Sequence, residues 1–349
     1  MTRLIQLLSG ALLVLATSFV GAAVLTYATP YGPNHTFSRA DKTWMAWIAE
    51  KSGGSLTIRP IWSGGLISSD QSLIELRHGV ADIGLITPIY AHGGTHLLRV
   101  QTGFYAGAKT FEQQVQMYRC LAADSPEYAS EMQGLKVLAI QGGTLPGLLS
   151  RTREVRTLGD LKGMRIRVPT ELLNVMRDLG ADPVTMPMGE VYSSLAKGVL
   201  DAVVAPADTL KSLHFGEVAK HYTELEVPRG AYPARAMSER RWNALNPQEQ
   251  SLLEASIPIW EAAMAKETRA AVQSGEAEGR AQQVQFIPVS PEEQKQFDEL
   301  YDEDAARSAA MLGRLGIDGA AVFRDARRIA RGIQQTGTVT CAGRADATT

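Results

Sequence analysis

The strongest constraint on the fold is a regular alternation of apolar, strand-like segments with amphipathic, helix-like segments. Residues 24–29, 56–61 and 82–87 have the character of strands, and residues 38–52 and 70–78 lie between them with apolar side chains at helical spacing. Both helical segments end at glycine, the residue that most readily terminates a helix. This succession predicts a mainly parallel sheet flanked by helices.

The same alternation starts again past residue 135. Residues 136–140, 165–168 and 202–205 predict strands, and residues 170–179 and 188–197 predict helices. A chain of 349 residues, 45% of them hydrophobic, is long enough for two domains with full cores. Two α/β units in one chain therefore predict two lobes.

The last third of the chain is predicted to be helical. Asn246-Pro247 and the Ser-Pro-Glu-Glu sequence at 290–293 are both a capping residue followed by proline, which is typical of a helix start. The first opens a long amphipathic helix to residue 274 or beyond, and the second opens a helix to about residue 315. The tail, residues 336–349, is predicted to be flexible unless Cys341 holds it.

The sequence contains two cysteines, Cys120 and Cys341. In an oxidising compartment they can form a disulfide that joins the tail to the body of the protein. The alternative is two unpaired, inert thiols. The sequence does not determine the distance between the two cysteines, so both states stay open.

The N-terminus predicts secretion. Arg3 precedes an apolar run over residues 4–20, and Gly21-Ala22-Ala23 supplies the small residues of a cleavage point. We therefore expect residues 1–23 to be a cleavable signal peptide and the mature protein to be periplasmic. An uncleaved membrane anchor is the alternative, since about 20 apolar residues can span a bilayer.

Composition and motifs exclude several functions. The formal net charge is −2 with both signs interspersed, whereas nucleic-acid binding requires a basic patch. The sequence has no GxSxG elbow, no P-loop and no GxGxxG opening a helix. His92 and His96 have the spacing of metal ligands on a helix, but Gly93-Gly94 between them disfavours that helix. We expect a binding protein, not an enzyme, with no metal and no cofactor.

Arg167 is the main candidate for ligand binding. It stands at the carboxyl end of the predicted strand 165–168, and ligands of open α/β sheets bind beyond the carboxyl ends of strands. Its planar guanidinium can hold a carboxylate through two parallel hydrogen bonds. From position alone a structural ion pair is an equal alternative. Arg165 shares a strand face with Arg167, opposite Ile166 and Val168, and is interpreted as plain surface charge. Glu190, near a helix start, either complements the helix dipole or joins the site.

These segments resemble the TRAP-transporter solute receptors, the DctP-like family of C4-dicarboxylate and sialic-acid binding proteins. The strongest match is Thr-Leu-Gly-Asp-Leu-Lys-Gly-Met-Arg-Ile-Arg-Val-Pro at 157–169, which is similar to the family's "DLKG.KiRvp" signature. The match continues through residues 179–183, 186–187, 190–192 and 198–201. Residues 25–30, 53–58 and 64–82 resemble the family's first strands and turns.

The resemblance implies an α/β fold of two lobes joined by crossing strands and spanned by a long helix. By this resemblance, lobe I is expected to comprise residues 24–146 and about 235–270, and lobe II residues 147–234 and about 271–335. The family closes on its solute by hinge motion and delivers it to a paired integral-membrane permease driven by an ion gradient. A periplasmic sensor that presents its solute to a membrane signalling protein is the alternative function.

The resemblance also implies the site. Arg167 matches the arginine that grips the solute carboxylate, and the remaining pocket positions carried over from the family are Thr29, Pro30, Ser68, Thr87, Met188, Glu190 and Ala205. A second arginine of the acid-sugar receptors has no counterpart, since Leu145 or Gly147 stands in its place, and their asparagine is replaced by Ala205. One arginine beside apolar Met188 and Ala205 predicts a small monocarboxylate with an apolar or aromatic body.

Overall fold

The computed structural model describes residues 23–341. The predicted signal peptide, apart from Ala23, and the last eight residues of the predicted tail lie outside this range. None of the helices between residues 23 and 341 is both long and apolar enough to cross a membrane.

The secondary structure within this range alternates as the sequence predicts, with additional elements. The strands are β1 (Ala23–Ala28), β2 (Leu56–Ile61), β3 (Ile83–Leu85), β4 (Leu135–Gln141), β5 (Gly147–Ser150), β6 (Arg165–Arg167), β7 (Asp182–Val184), β8 (Ala202–Ala205), β9 (His221–Thr223), β10 (Tyr232–Ser238) and β11 (Gln285–Ile287). The helices are α1 (Thr36–Lys51), α2 (Ser72–Arg77), α3 (His96–Val100), α4 (Phe111–Asp124), α5 (Glu127–Glu131), α6 (Leu173–Asp178), α7 (Val191–Ala196), α8 (Thr209–Ser212), α9 (Glu239–Asn243), α10 (Pro247–Ala255), α11 (Ile257–Ala281), α12 (Pro291–Met311) and α13 (Gly319–Thr336).

The described strands form two sheets, one in each lobe. The first has the order β2-β1-β3-β10-β4 and the second the order β11-β9-β5-β8-β6-β7. Both sheets are mainly parallel, as predicted, and each contains one strand of opposite direction: β10 runs antiparallel to β3 and β4, and β5 runs antiparallel to β8 and β9. The chain enters each sheet from the other lobe at β5 and β10, so these two strands run against their neighbours.

Two crossing segments and one helix connect the lobes. The chain passes from β4 to β5 through residues 142–146 and returns from β9 to β10 through residues 224–231. Helix α11, 25 residues long, packs against α1 and β4 of the first lobe and against α8 of the second. The two-lobed fold with crossing strands and a long spanning helix is therefore as predicted.

Prolines set the helix boundaries that differ from prediction. The segment predicted as one helix from residue 247 is divided at Ser256 into α10 and α11. Pro258, in the first turn of α11, has no N–H group and cannot continue the backbone hydrogen bonds of α10. Pro169 and Pro187 likewise precede short 3₁₀ turns, Thr170–Leu172 and Met188–Glu190, before α6 and α7 begin.

Helix α13 was not predicted, although its sequence has a capping residue and apolar residues at helical spacing. Asp318 caps it through the N–H of Ala321, and its buried positions Val322, Ala326 and Ile333 have helical spacing. Through these residues α13 joins the core of the first lobe, where it packs against α4. The lobe boundaries along the chain stay a prediction.

The two cysteines form a disulfide. Cys120 lies in α4, and its Cα atom is 5.0 Å from that of Cys341. Of the two states left open by the sequence, the structure has the bonded one. The bond joins the end of the described chain to the core of the first lobe.

Candidate functional site

A cavity of about 130 Å³ lies between the lobes. Its volume is close to the roughly 150 Å³ of an engineered cavity that admits benzene, so it suits a small solute. Both crossing segments contribute to its wall, together with residues of each sheet. The residues that line it include Tyr31, His35, Thr36, Phe37, Thr87, Tyr90, Gly143, Thr144, Arg167, Glu171, Met188, Val204, Pro206, Asp208, Thr209, Arg229, Tyr232 and Thr268.

Arg167 lines this cavity at the end of β6 and is only 3% exposed. Its Nε–H donates to the carbonyl of Met186 at 3.0 Å, and its Nη2 donates to the hydroxyl of Tyr90 at 2.8 Å. Tyr90 belongs to the first lobe, so the second bond crosses the cleft. These two bonds use two of the five guanidinium donors, and neither partner carries a negative charge.

A second arginine, Arg229, lines the cavity from the crossing segment 224–231. Its guanidinium packs against Gly143 of the other crossing segment, where a Cβ atom would lie 2.5 Å from Cζ. A larger residue at position 143 would displace the Arg229 guanidinium from its present place. Sequence reasoning sought a second arginine upstream of Arg167 and missed this one, since Arg229 reaches the cavity through the return crossing of the chain.

Two carboxyl groups, Asp208 and Glu171, lie on the same wall as the arginines. Burial raises the pKa of Asp208 to about 6, against the opposing charge of Arg229. Burial also raises the pKa of Glu171, with the charges of Arg167 and Arg229 acting in the opposite direction. Within residues 23–341 none of these four groups belongs to a salt bridge.

Aromatic and apolar side chains form much of the remaining wall. The ring of Tyr31 stacks on His35 at 4.1 Å between centroids and meets Phe37 edge-on at 5.2 Å. Burial lowers the pKa of His35 to about 3, so this imidazole is neutral at physiological pH. Met188 and Val204 add apolar surface. The cavity thus combines the buried Arg167, the half-buried Arg229 and two carboxyl groups with aromatic and apolar walls.

The sequence places this architecture in a known family. Residues 27–311 match the model of the bacterial extracellular solute-binding proteins, family 7, also called DctP. The chain belongs to this family. Its members are periplasmic receptors that bind solutes without transforming them.

Curated proteins are also similar to this chain. The chain is 26% identical over 279 residues to the monocarboxylate 2-oxoacid-binding periplasmic protein of Nostoc sp.. The aligned region covers 75% of this chain and 74% of that protein. It is 25% identical over 219 residues to an uncharacterised protein of Salmonella typhimurium, covering 60% of this chain and 64% of that protein.

A solved structure shows the same fold. The TRAP solute-binding protein of Rhodoferax ferrireducens, in complex with copurified benzoate, superposes with a TM-score of 0.80. The superposition covers 90% of this chain and all of that one, at 20% sequence identity, so the likeness concerns the fold.

The structure brings three of the predicted site residues of this solute-binding protein to the cavity: Arg167, Thr87 and Met188. Thr29 and Pro30 lie just outside it and support the wall, since the hydroxyl of Thr29 accepts from the N–H of Tyr31 at 3.3 Å.

The other predicted positions also lie outside the cavity wall. The N–H of Ser68 donates to the carboxylate of Glu75 at 2.8 Å, at the start of α2. Ala205 is buried in β8 beside Gly147 of β5, between the lining residues Val204 and Pro206. Glu190 is exposed before α7, where its carbonyl accepts from the hydroxyl of Ser193.

Replacing Asp208 by asparagine is expected to stabilise the ligand-free protein at pH 7 and to have little effect near pH 4. Because the folded pKa of Asp208, about 6, exceeds its ordinary value of 3.8, the folded state binds more protons between these pH values. The wild-type free energy of unfolding therefore falls as pH rises through this window, and asparagine removes that loss. Urea denaturation of both proteins at pH 4 and pH 7 measures the difference.

Asp160→Asn provides a control of opposite sign. The backbone N–H groups of Thr157 and Arg156 lower the pKa of Asp160 below its ordinary 3.8, so the ionised carboxylate stabilises the folded state at both pH values and this variant should be less stable than wild type at pH 7 and at pH 4. An Asp208→Asn variant that is destabilised at pH 7 would contradict the prediction.

Proposed function

We propose that this protein captures a small organic acid in the periplasm and delivers it to a TRAP-type, ion-gradient-driven permease. The observation that carries the proposal is the buried Arg167 guanidinium, which lines the cavity without a carboxylate partner. A buried cation without a counter-charge is costly, and a ligand carboxylate would supply that charge. Binding of one carboxylate is thus the simplest role for this residue.

The charges of the wall favour a monocarboxylate over a dicarboxylate. Arg229 adds a second positive charge, but the carboxyl groups of Asp208, which is mostly ionised at pH 7, and of Glu171 line the same cavity and disfavour a second carboxylate on the ligand. One ligand carboxylate is sufficient to balance Arg167. The apolar wall and the small volume suit an apolar or aromatic body.

The properties of relatives support this class of solute. The Nostoc relative is named for binding monocarboxylate 2-oxoacids, and the Rhodoferax structure holds benzoate. Family members work with TRAP permeases in the membrane, and residues 1–23 would direct this chain to the periplasm as a cleavable signal peptide. No feature of the described residues favours the sensor alternative.

Thermal denaturation of the purified protein with a panel of acids tests the proposal. The panel contains benzoate, mandelate and pyruvate as monocarboxylates, succinate as a dicarboxylate and galacturonate as a sugar acid. A ligand at about one hundred times its Kd stabilises the folded state by about 2.7 kcal/mol, which raises Tm by several degrees. We expect shifts with monocarboxylates. A shift with succinate alone would contradict the monocarboxylate proposal, and the absence of any shift would contradict carboxylate binding.

A further inference from the structure

Two buried threonine hydroxyls on the cavity wall have no hydrogen-bond partner within the described residues. Thr36 is 2% exposed and Thr268 is 7% exposed, and both line the cavity. A half-buried threonine of the same wall, Thr144, has the same property. Buried hydroxyls in native proteins are nearly always paired, and an unpaired one is costly. Unpaired hydroxyls on one cavity wall therefore indicate a place for a polar group of the ligand.

Thr36 lies on α1 and Thr268 on α11, two helices that pack against each other, and both line the cavity. Arg39, one turn after Thr36, forms an ion pair of 2.6 Å with Glu267, the neighbour of Thr268. This ion pair holds the start of α1 against the middle of the spanning helix. The two hydroxyls are thus fixed by packing of two long helices and not by a mobile loop.

Asp208 lines the same cavity and also lies beside α11. Helix α11 approaches it closely, since a Cβ atom on Gly275 would lie 2.6 Å from the Cα of Asp208, and the charge of Arg39 acts on its carboxyl group. Its Oδ2 accepts one hydrogen bond, from the hydroxyl of Ser212 at 3.2 Å. A carboxylate has about four acceptor sites, so Asp208 can accept further bonds from a ligand.

The chemistry of Thr36, Thr268 and Asp208 favours a hydroxyl group on the ligand. A hydroxyl can donate to Asp208 and accept from a threonine, which pairs both kinds of group at once. An ammonium group would lie within the field of Arg229, and a second carboxylate would face Asp208. A neutral group that both donates and accepts avoids each repulsion.

We propose that Thr36, Asp208 and Thr268 bind a hydroxyl group of the solute, so that the protein selects a hydroxylated monocarboxylate over the same acid without the hydroxyl. This inference rests on the proposed function and names its solute class more closely. Arg167, which donates hydrogen bonds to Met186 and Tyr90, would bind the ligand carboxylate. The two threonines and Asp208 would bind the ligand hydroxyl.

Calorimetric titration with matched pairs of acids tests the inference. The pairs are benzoate with its 2-, 3- and 4-hydroxy derivatives, and hexanoate with 6-hydroxyhexanoate. We expect at least one hydroxy acid to bind wild type about tenfold or more tightly than its partner, because a site built to pair a hydroxyl rejects the analogue that lacks it. Thr268→Val and Asp208→Asn should bring this ratio close to one, and Thr268→Ser should restore it.

Thr43→Val is the matched control for the ratio of the affinities for the hydroxy acid and for the same acid without the hydroxyl. Thr43 is an exposed threonine on the same helix as Thr36, and its hydroxyl donates to the carbonyl of Arg39 at 3.2 Å, away from the cavity. This variant should keep the wild-type ratio. Binding of acids with no preference for any hydroxy derivative would overturn this inference and leave the proposed function standing. Binding of no acid at all would overturn both.

A second measurement does not depend on the ligand. In the unliganded protein Thr268→Val removes an unpaired hydroxyl, so its Tm should equal or exceed that of wild type. Thr209→Val is the contrast, because the hydroxyl of Thr209 donates to the carbonyl of Pro206 at 2.6 Å in the same wall, and its loss should lower Tm. A loss of Tm in Thr268→Val as large as in Thr209→Val would show a structural partner and overturn the inference.

Discussion

Replacing Arg167 by alanine is expected to weaken binding of the organic acid by roughly 30- to 5000-fold. Removing one partner of a buried, hydrogen-bonded charge pair costs about 2–5 kcal/mol, because the remaining charge stays in a poorly solvated site. Here that remaining charge is the ligand carboxylate, and Arg167 itself is 3% exposed. Isothermal titration of wild type and variant with the acid found in the thermal panel measures the loss.

Arg165→Ala is the matched control for this experiment. Arg165 lies two residues earlier on the same strand, but its side chain is 52% exposed and faces Asp182 at 3.6 Å on the surface. Exposed ion pairs contribute little, so this variant should bind like wild type. Arg167→Lys should bind the acid less tightly than wild type, since lysine keeps the positive charge but lacks the planar guanidinium that forms two parallel hydrogen bonds. Equal losses in the Arg165 and Arg167 variants would contradict a direct contact.

Replacing Asp41 by alanine is expected to reduce the free energy of unfolding by about 3–5 kcal/mol. Asp41 on α1 is fully buried and accepts from Nε of Arg235 at 2.8 Å, from the hydroxyl of Tyr27 at 2.6 Å and from Nε1 of Trp260 at 2.8 Å. These partners come from β10, β1 and α11, so one carboxylate joins four elements of the first lobe. Alanine would leave the Arg235 guanidinium buried without its counter-charge.

Urea denaturation monitored by circular dichroism tests this prediction. Glu254→Ala is the control, because its ion pair with Lys136, 2.7 Å long, has side chains that are 52% and 32% exposed. Loss of such a pair should change stability by less than about 1 kcal/mol. If Asp41→Ala lost no more than the control, the buried network would not contribute as described.

The elements that follow from local pattern were predictable. Strands β1 and β2, helix α1 and the helix start at Ser290 all depend on residues close in the chain, namely apolar period, caps and glycine stops. The motif around Arg167 is also continuous in sequence, which is why its family resemblance pointed to a residue that does line the cavity.

Strand β10 was not predictable in this way. Its sequence, Tyr-Pro-Ala-Arg-Ala-Met-Ser, contains a proline and an arginine, which disfavour a buried central strand. The strand is nevertheless fully buried, because Asp41, 194 residues away, neutralises Arg235. A long-range ion pair thus overrides the local preference.

The amino-acid sequence was sufficient for the family, the two α/β units, the spanning helix and Arg167, because each is encoded in neighbouring residues. Contacts between distant residues were decided only by tertiary structure: the approach of Arg229 to Gly143, the placement of Thr36 and Thr268 on the wall of one cavity, and the disulfide across 221 residues. Periodicity and caps describe one element at a time, whereas these contacts depend on how the crossing segments and α11 bring the two lobes together.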